Sequence, residues 1–206
     1  MVPQPPGSPE PAADDARRDR YHLRPMPIDV THISPDAPGA GDPLTVAVVA
    51  SRYNAWITEP LERGALEALE RETNGAGRAV VLAASGSLEL PTICGEAAMS
   101  GAFDAVVALG CIIRGETEHD RHIARAIIHN LTDVSAASGV PMGIGVLTVN
   151  DADQAEARAG GALGNKGAEA MEAALASVRT LRALREWVET NDARSGAERA
   201  GGGHGG

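Results

Sequence analysis

Four short apolar runs, set apart by stretches of helical period, constrain this chain more than any other feature. They are LTVAVVA (44–50), AVVLAA (79–84), DAVVALGCII (104–113) and PMGIGVL (141–147). A short, continuous, largely β-branched run bounded by turn residues reads as a strand buried on both faces. Between the first two runs, Ile57, Leu61, Ala65 and Leu69 recur four apart, as one face of a helix does. Pro91 opens a second helix that reaches about Ser100, and Ile123, Ile127, Leu131 and Val134 mark a third that ends near Gly139. A small helix is expected over 151–159. After Gly160-Gly161 a long one starts near Gly167, with Met171, Leu175, Val178, Leu181 and Leu184 inward. Strands that alternate with helices pair in parallel through right-handed crossovers. The expected fold is α/β, a doubly wound four-stranded parallel sheet in three α/β/α layers.

The ends of the chain read differently. Ten of the thirteen prolines fall in residues 1–43, a density that neither a helix nor a sheet ladder tolerates. Residues 1–26 are expected to be disordered and 27–43 extended, suited to lying on a neighbouring surface. The Gly-rich end, 190–206, reads as a second disordered tail, which leaves 44–189 as the folded domain. Aromatic residues make up only 2% of the chain, so its core must be built from Ala, Val, Leu and Ile. A formal net charge of −10 argues against general nucleic-acid binding, because a phosphate backbone requires a basic stripe. Cys94 and Cys111 lie in or beside apolar stretches, which favours buried thiols over a disulfide. With no basic-then-apolar leader and no run of transmembrane length, the expected location is the cytoplasm, without membrane association.

In a doubly wound sheet, ligands sit beyond the carboxyl ends of the strands. Four polar segments fall there: SRYN (51–54), SGSLELP (85–91), RGETEH (114–119) and LTVND (147–151). Each admits two readings. In RGETEH, Thr117 and Asp120 approximate a capping box, and the acids 116, 118 and 120 complement a helix dipole, leaving His119 solvated. Alternatively, the free N–H groups at that helix start hold a phosphate, with His119 beside it passing protons near neutral pH. In SGSLELP, Gly86 at the strand-to-helix turn can let the backbone approach a ligand; on the other reading Pro91 simply starts the helix and Glu89 is a favourable charge before it. Tyr53 is either a hydrophobic staple or a stacking platform for a planar ligand. Arg158 suits the negative end of a short helix, and Lys166 suits a solvated loop. His119, His122 and His129 have no cysteine or glutamate to complete a metal-type spacing, so no metal is expected.

Taken in order, SRYNAWIT, GSLELP, ALGCIIRGETEH, GVLTVNDADQAEARAG and GNKGAEA resemble the lumazine synthase family over about residues 44–185. The resemblance implies a flavodoxin-like fold and a transferase of riboflavin biosynthesis. Its reaction condenses 5-amino-6-ribitylaminouracil with 3,4-dihydroxy-2-butanone 4-phosphate to 6,7-dimethyl-8-ribityllumazine, losing phosphate and water, with no cofactor. It implies a pentamer, or a sixty-subunit icosahedral capsid of twelve pentamers, with riboflavin synthase as a further candidate partner. The short GGALGNKG connection is similar to that of shell-forming members.

Carried over by position, the resemblance has Tyr53 stack on the pyrimidine, and Ser87, Leu88 and Glu89 hold the ribityl chain. Backbone groups of Cys111, Ile112 and Ile113 would read the pyrimidine edge. Glu116 and Thr117 would offer N–H groups to the phosphate, Arg158 would pair with it, and His119 would shuttle protons. Ile144 and Arg158 would enter from the adjacent subunit. This chain departs from the family at Tyr53, where Phe or Trp is usual, and at Leu88 and Ile144, where aromatics are common. Asp120-Arg121-His122 stands where the family usually has aromatic, acid, aromatic. Two alternatives follow: a non-catalytic flavin-binding or shell-forming protein on the same fold, and an unrelated phosphate-binding α/β domain that stays monomeric.

Overall fold

Val46 to Ala50 alternate between two apolar faces, and each face is covered, so the strand they form is buried along its length. This strand, β1 (Thr45–Ser51), sends Val46, Val48 and Ala50 into one core and Ala47 and Val49 into another. The computed structural model describes residues 31–35, 43–115 and 119–201, with side chains at all of these except His119 and 193–201. The chain divides into two units, Met1–His32 and Ile33–Gly206, and every element below belongs to the second. The expectations for 1–30 and 36–42 lie outside the described residues.

After β1 come α1 (Ala55–Thr73), β2 (Arg78–Ala84), a one-turn 3-10 helix (Ser87–Glu89), α2 (Leu90–Met99) and β3 (Ala105–Ile113). They are followed by α3 (His119–Ser138), β4 (Met142–Val149), α4 (Ala152–Arg158), β5 (Ala159–Gly161), β6 (Gly164–Asn165) and α5 (Lys166–Gly201). The main sheet is parallel, in the order β2-β1-β3-β4. The chain is therefore the expected flavodoxin-like α/β fold. One core joins β1 and β3 to α1, α4 and α5 through Leu61, Leu109, Met171 and Leu175, and the other joins them to α2 and α3 through Leu90, Ile127 and Leu131.

Four differences from the expected elements have physical causes. Only β1 and β3 are buried on both faces; β2 and β4 are the sheet edges, and Val81 on β2 is 38% exposed. The GGALGN connection forms a small antiparallel ladder, β5 with β6, which glycines at 160, 161 and 164 allow. Helix α5 continues to Gly201, past the residue-189 boundary of the expected tail; residues 190–199 hold no proline to stop it, and Ala193, Arg194, Ala197, Glu198 and Arg199 favour a helix. Leu184, expected inward, is 41% exposed, since α5 has by then run past the sheet that would cover it.

Close packing beneath α5 depends on missing side chains. A Cβ on Gly143 would collide with the Ala170 carbonyl, and one on Gly167 with the Leu61 carbonyl. Asn165 then fixes the start of α5: its Oδ1 accepts from Gly167 N at 2.8 Å, and its Nδ2 donates to the Pro60 carbonyl at 2.9 Å. At the opposite end of the sheet from the strand tips, Asp104 accepts from Thr45 N and from Arg182 Nη2, each at 2.7 Å.

Candidate active site

The strand order reverses between β1 and β3: the chain leaves β1 for β2 on one side, then crosses to β3 on the other. Beyond the strand tips at such a switch point the connecting loops diverge and leave a crevice. Here β3 also outruns its neighbour. Its pairing with β1 ends at Ala50↔Leu109, whereas its pairing with β4 continues to Ile113↔Val149. Arg114 N donates toward β4, to the Val149 carbonyl, and the Cys111 carbonyl accepts from Asn54 on the opposite side. Alternation along a strand therefore turns the N–H and C=O of Ile113 toward the open side.

A cavity of about 430 Å³ occupies this place, within the range of small-molecule sites. Tyr53 and Asn54 wall it after β1, Ser87, Leu88 and Glu89 after β2, and Cys111, Ile112 and Ile113 at the end of β3. Tyr53 is 70% exposed, so in this chain it is not a buried staple but an open ring face at the rim. Ser87 is buried and sits against β3; a Cβ at Gly110 would stand 2.7 Å from its Oγ, so only glycine admits that approach. The 3-10 turn holding Ser87 to Glu89 runs straight into α2, where Pro91 is the second residue. The Glu89 carboxylate folds back over Gly86, where a Cβ would meet its Oε2 at 3.1 Å.

The structure thus gathers Tyr53, Ser87, Leu88, Glu89, Cys111, Ile112 and Ile113 around one cavity. Two further candidates lie elsewhere in the chain. Ile144 packs partly buried in the core beneath α2 and α3, and Arg158 ends α4, its Nη1 donating to the Gln154 carbonyl at 3.0 Å. Glu116 and Thr117 lie outside the described residues; His119 is described as the first residue of α3, without its side chain. Lys166 pairs with Glu169 at 2.5 Å. Gly86, expected to let the backbone approach a ligand, lines the cavity, and sequence reasoning missed Asn54, Gly115, Asp120 and Ile123, which also line it.

Charge and protonation narrow the chemistry available. The described lining carries two carboxylates, Glu89 and Asp120, and no Lys or Arg. Burial pushes the Cys111 thiol up to about 11, and the Cys94 thiol to about 12, so both remain protonated at neutral pH. A protonated, buried thiol is a poor nucleophile, so the Cys111 side chain is an unreactive part of the cavity wall. Such a site can stack a planar ring, accept from its donors and orient it, but the lining described gives no positive charge to an anion.

Residues 43–182, which span every element bordering the cavity, match the family model of 6,7-dimethyl-8-ribityllumazine synthase. The chain belongs to the lumazine synthase family. The 6,7-dimethyl-8-ribityllumazine synthases of Xanthomonas oryzae pv. oryzae (strain PXO99A) and Xanthomonas euvesicatoria pv. vesicatoria (strain 85-10) are each 43% identical to it. Both alignments run over 123 residues, covering 60% of this chain and 80% of each relative. The activity is that of a lumazine synthase, a transferase of riboflavin biosynthesis, and the reading as an unrelated phosphate-binding domain is set aside. Among the described residues no helix is long and apolar enough to cross a membrane.

Proposed function

We propose that the cavity beyond β1, β2 and β3 binds 5-amino-6-ribitylaminouracil, and that the site is completed by a neighbouring copy of the chain that brings a cation to the butanone phosphate. The observation that carries this reading is the division of the candidate residues. The ring-stacking, ribityl-binding and edge-reading groups converge on one cavity, whereas Arg158, the phosphate cation, lies outside it. A phosphate needs a paired cation in a partly dry site, and the described lining offers none. Arg158 and Ile144 of the adjacent subunit supply what is missing. The outer edge of β2 supports such an assembly, since among the described residues no strand pairs with it, and with Val81 exposed it is a ready surface for an extended segment of another chain.

In this site Tyr53 stacks on the pyrimidine while Ser87, Leu88 and Glu89 hold the ribityl chain. Backbone groups of Cys111 to Ile113 read the ring edge, with Ile113 offering both a donor and an acceptor. Glu116 and Thr117 present N–H groups to the phosphate. The ring amine attacks the ketone and expels one water to form an imine. Elimination of phosphate turns the neighbouring carbinol carbon, through its enol, into a carbonyl. The ribityl-bearing nitrogen attacks that carbon to close the second ring with loss of a second water. His119 carries protons between these atoms, and no cofactor takes part. Most of the acceleration comes from holding two substrates together, which converts a bimolecular encounter into a reaction within one complex. The protein works in the cytoplasm as a pentamer or as a shell of pentamers.

Mixing the purified full-length protein with both substrates should produce lumazine absorbance faster than the spontaneous reaction, from a particle whose mass by light scattering is a multiple of five chains. A monomer, or no acceleration, would overturn this reading.

A further inference from the structure

The outer face of α5 has no part in the roles above. Ala173, Ser177, Thr180, Leu184, Trp187 and Asn191 follow one another in steps of four and three residues, the spacing of a seam that meets another helix. The five charged residues between them, Arg179, Arg182, Arg185, Glu186 and Glu189, all fall on other faces of the helix. In a chain that is 22% charged, a charge-free face of about five turns is a surface suited to contact. Leu184 and Trp187 are 41% and 44% exposed, and Val188 beside them is 41% exposed. The polar residues of the seam are already engaged within their own helix. Ser177 Oγ donates to the Ala173 carbonyl at 2.8 Å, Thr180 Oγ1 to the Ala176 carbonyl at 3.1 Å, and Asn191 Nδ2 to the Trp187 carbonyl at 2.7 Å. Covering them strands none of these donors.

The shape and charge of the seam identify its occupant. The seam is bulky in the half that runs past the sheet, at Leu184 and Trp187, and narrow in the half that lies along it, at Ala173 and Ser177. Beside the narrow half is a cavity of about 600 Å³, walled by Ala176, Ser177 and Thr180 on α5 and by Gly139, Pro141 and Met142 between α3 and β4. Arg182, held by Asp104 at the end of the sheet, stands between the two halves. We propose that a second copy of this chain packs its α5 antiparallel on this seam, about a two-fold axis at Arg182. In that register Trp187 meets the partner's Ser177 at the mouth of the cavity. Leu184 meets the partner's Thr180, and Asn191 the partner's Ala173, so each layer sets a larger residue against a smaller one. The next layers outward set Lys166 against position 198, a glutamate, and the arginine at position 194 beside the partner's Glu169, so opposite charges meet at both ends. The bulky half of each helix lies along the sheet-bound half of the other, and one patch meets itself, as a two-fold contact requires. The pairing goes beyond the function proposed above and does not rest on it; where the chains form rings, it joins one ring to the next.

The test uses the full-length protein with Ala173→Cys and Asn191→Cys in one chain. The two thiols then stand about 27 Å apart along the same helix, too far to join within it. Cys94 and Cys111 are buried and do not compete. Mild oxidation should link the chains in pairs, seen as a dimer band on a non-reducing gel, whereas either single variant should give at most about a tenth as much. A second variant, Leu184→Glu with Trp187→Glu, should lower the particle mass by light scattering about twofold or more while keeping the far-UV circular dichroism. Its KM values and turnover should stay within about twofold, because the cavity beyond β1, β2 and β3 lies at the opposite end of the sheet. Should the glutamates unfold the chain, the cross-link alone decides. No dimer band from the double cysteine variant, equal linking by a single cysteine variant, or an unchanged mass in a folded glutamate variant overturns the pairing. If the unmodified protein fails to accelerate condensation yet the cysteines link, the functional reading fails and the pairing stands.

Discussion

The side-chain amide of Asn54 donates to the backbone carbonyl of Cys111 across 3.1 Å, joining the start of α1 to the tip of β3 over a sequence separation of 57. The bond spans the switch point and holds two walls of the cavity at a fixed spacing. Asn54 adopts φ 58°, ψ 44°, a left-handed conformation that asparagine tolerates better than most residues. Its own carbonyl accepts from Ile57 N and Thr58 N, so the residue also begins α1.

Two substitutions at Asn54 separate backbone from side chain. Asn54→Gly keeps the left-handed turn and loses the tether; Asn54→Ala loses the tether and adds backbone strain. Glycine should cost about 1 kcal/mol and alanine about 2 kcal/mol in denaturant unfolding. Both should raise the KM for the pyrimidine substrate. Equal stability of the two variants would show that the backbone conformation contributes nothing.

The buried cysteines give a pH prediction with a definite sign. Both thiols have an ordinary value of 9.0 that burial raises, to about 11 for Cys111 and about 12 for Cys94. Below pH 9 both states keep their protons and no stability is lost. As pH rises above 9, the unfolded chain releases thiol protons that the folded chain retains, so stability falls until the folded values are reached. Melting temperature should thus decline between about pH 9 and pH 11 more steeply than in a Cys94→Ala, Cys111→Ala double variant. Thiol alkylation at neutral pH should be slow and should leave turnover intact.

The four strands were readable in the sequence because continuous β-branched runs have few other uses, and the cavity's position followed from parallel topology. Tyr53, Ser87, Leu88, Glu89 and the end of β3 converge there for that reason. That β2 and β4 are half-exposed edges was not readable, because an apolar run does not say which strands end a sheet. Asn54 was passed over beside Tyr53, although an asparagine between a strand and a helix is a signal for a left-handed cap. Its partner Cys111 is too distant in sequence for any local pattern to reveal. Asp120 suits the dipole of α3 from its sequence position, and nothing local in the sequence reveals that it also borders the cavity. The run of α5 to Gly201 was hidden by the glycines at the end of the chain, which drew attention away from the helix formers before them.

At the far end of the sheet, Asp104 joins three elements, accepting from Thr45 N at the start of β1 and from Arg182 on α5. The Asp104 and Arg182 side chains are 30% and 23% exposed, and Arg182 Nη1 is enclosed without a partner. Asp104→Ala would leave the guanidinium without its carboxylate and should destabilise the protein by about 2–3 kcal/mol in denaturant unfolding. Because the cavity lies at the opposite strand ends, both KM values should be unchanged. A rise in either would mean that the two ends of the sheet are coupled.

The last prediction concerns the shared site. Arg158→Ala should raise the KM for the butanone phosphate by about tenfold or more through loss of a charge-assisted pair, while His119→Ala should slow turnover. The slowing should fall short of the roughly 10²–10⁴ typical of acid–base residues, because an amine and a ketone condense readily unaided. If the two residues of one site come from adjacent subunits, co-assembling the two variant chains restores some complete sites. In a ring built at random from equal amounts, about one quarter of sites would pair a chain holding His119 with a neighbour holding Arg158. Co-refolded mixtures should then show about that fraction of unmodified activity at low butanone phosphate, well above the sum of the separate variants. If both residues belonged to one chain, every site in the mixture would carry a defect, and activity would stay at the mean of the two variants.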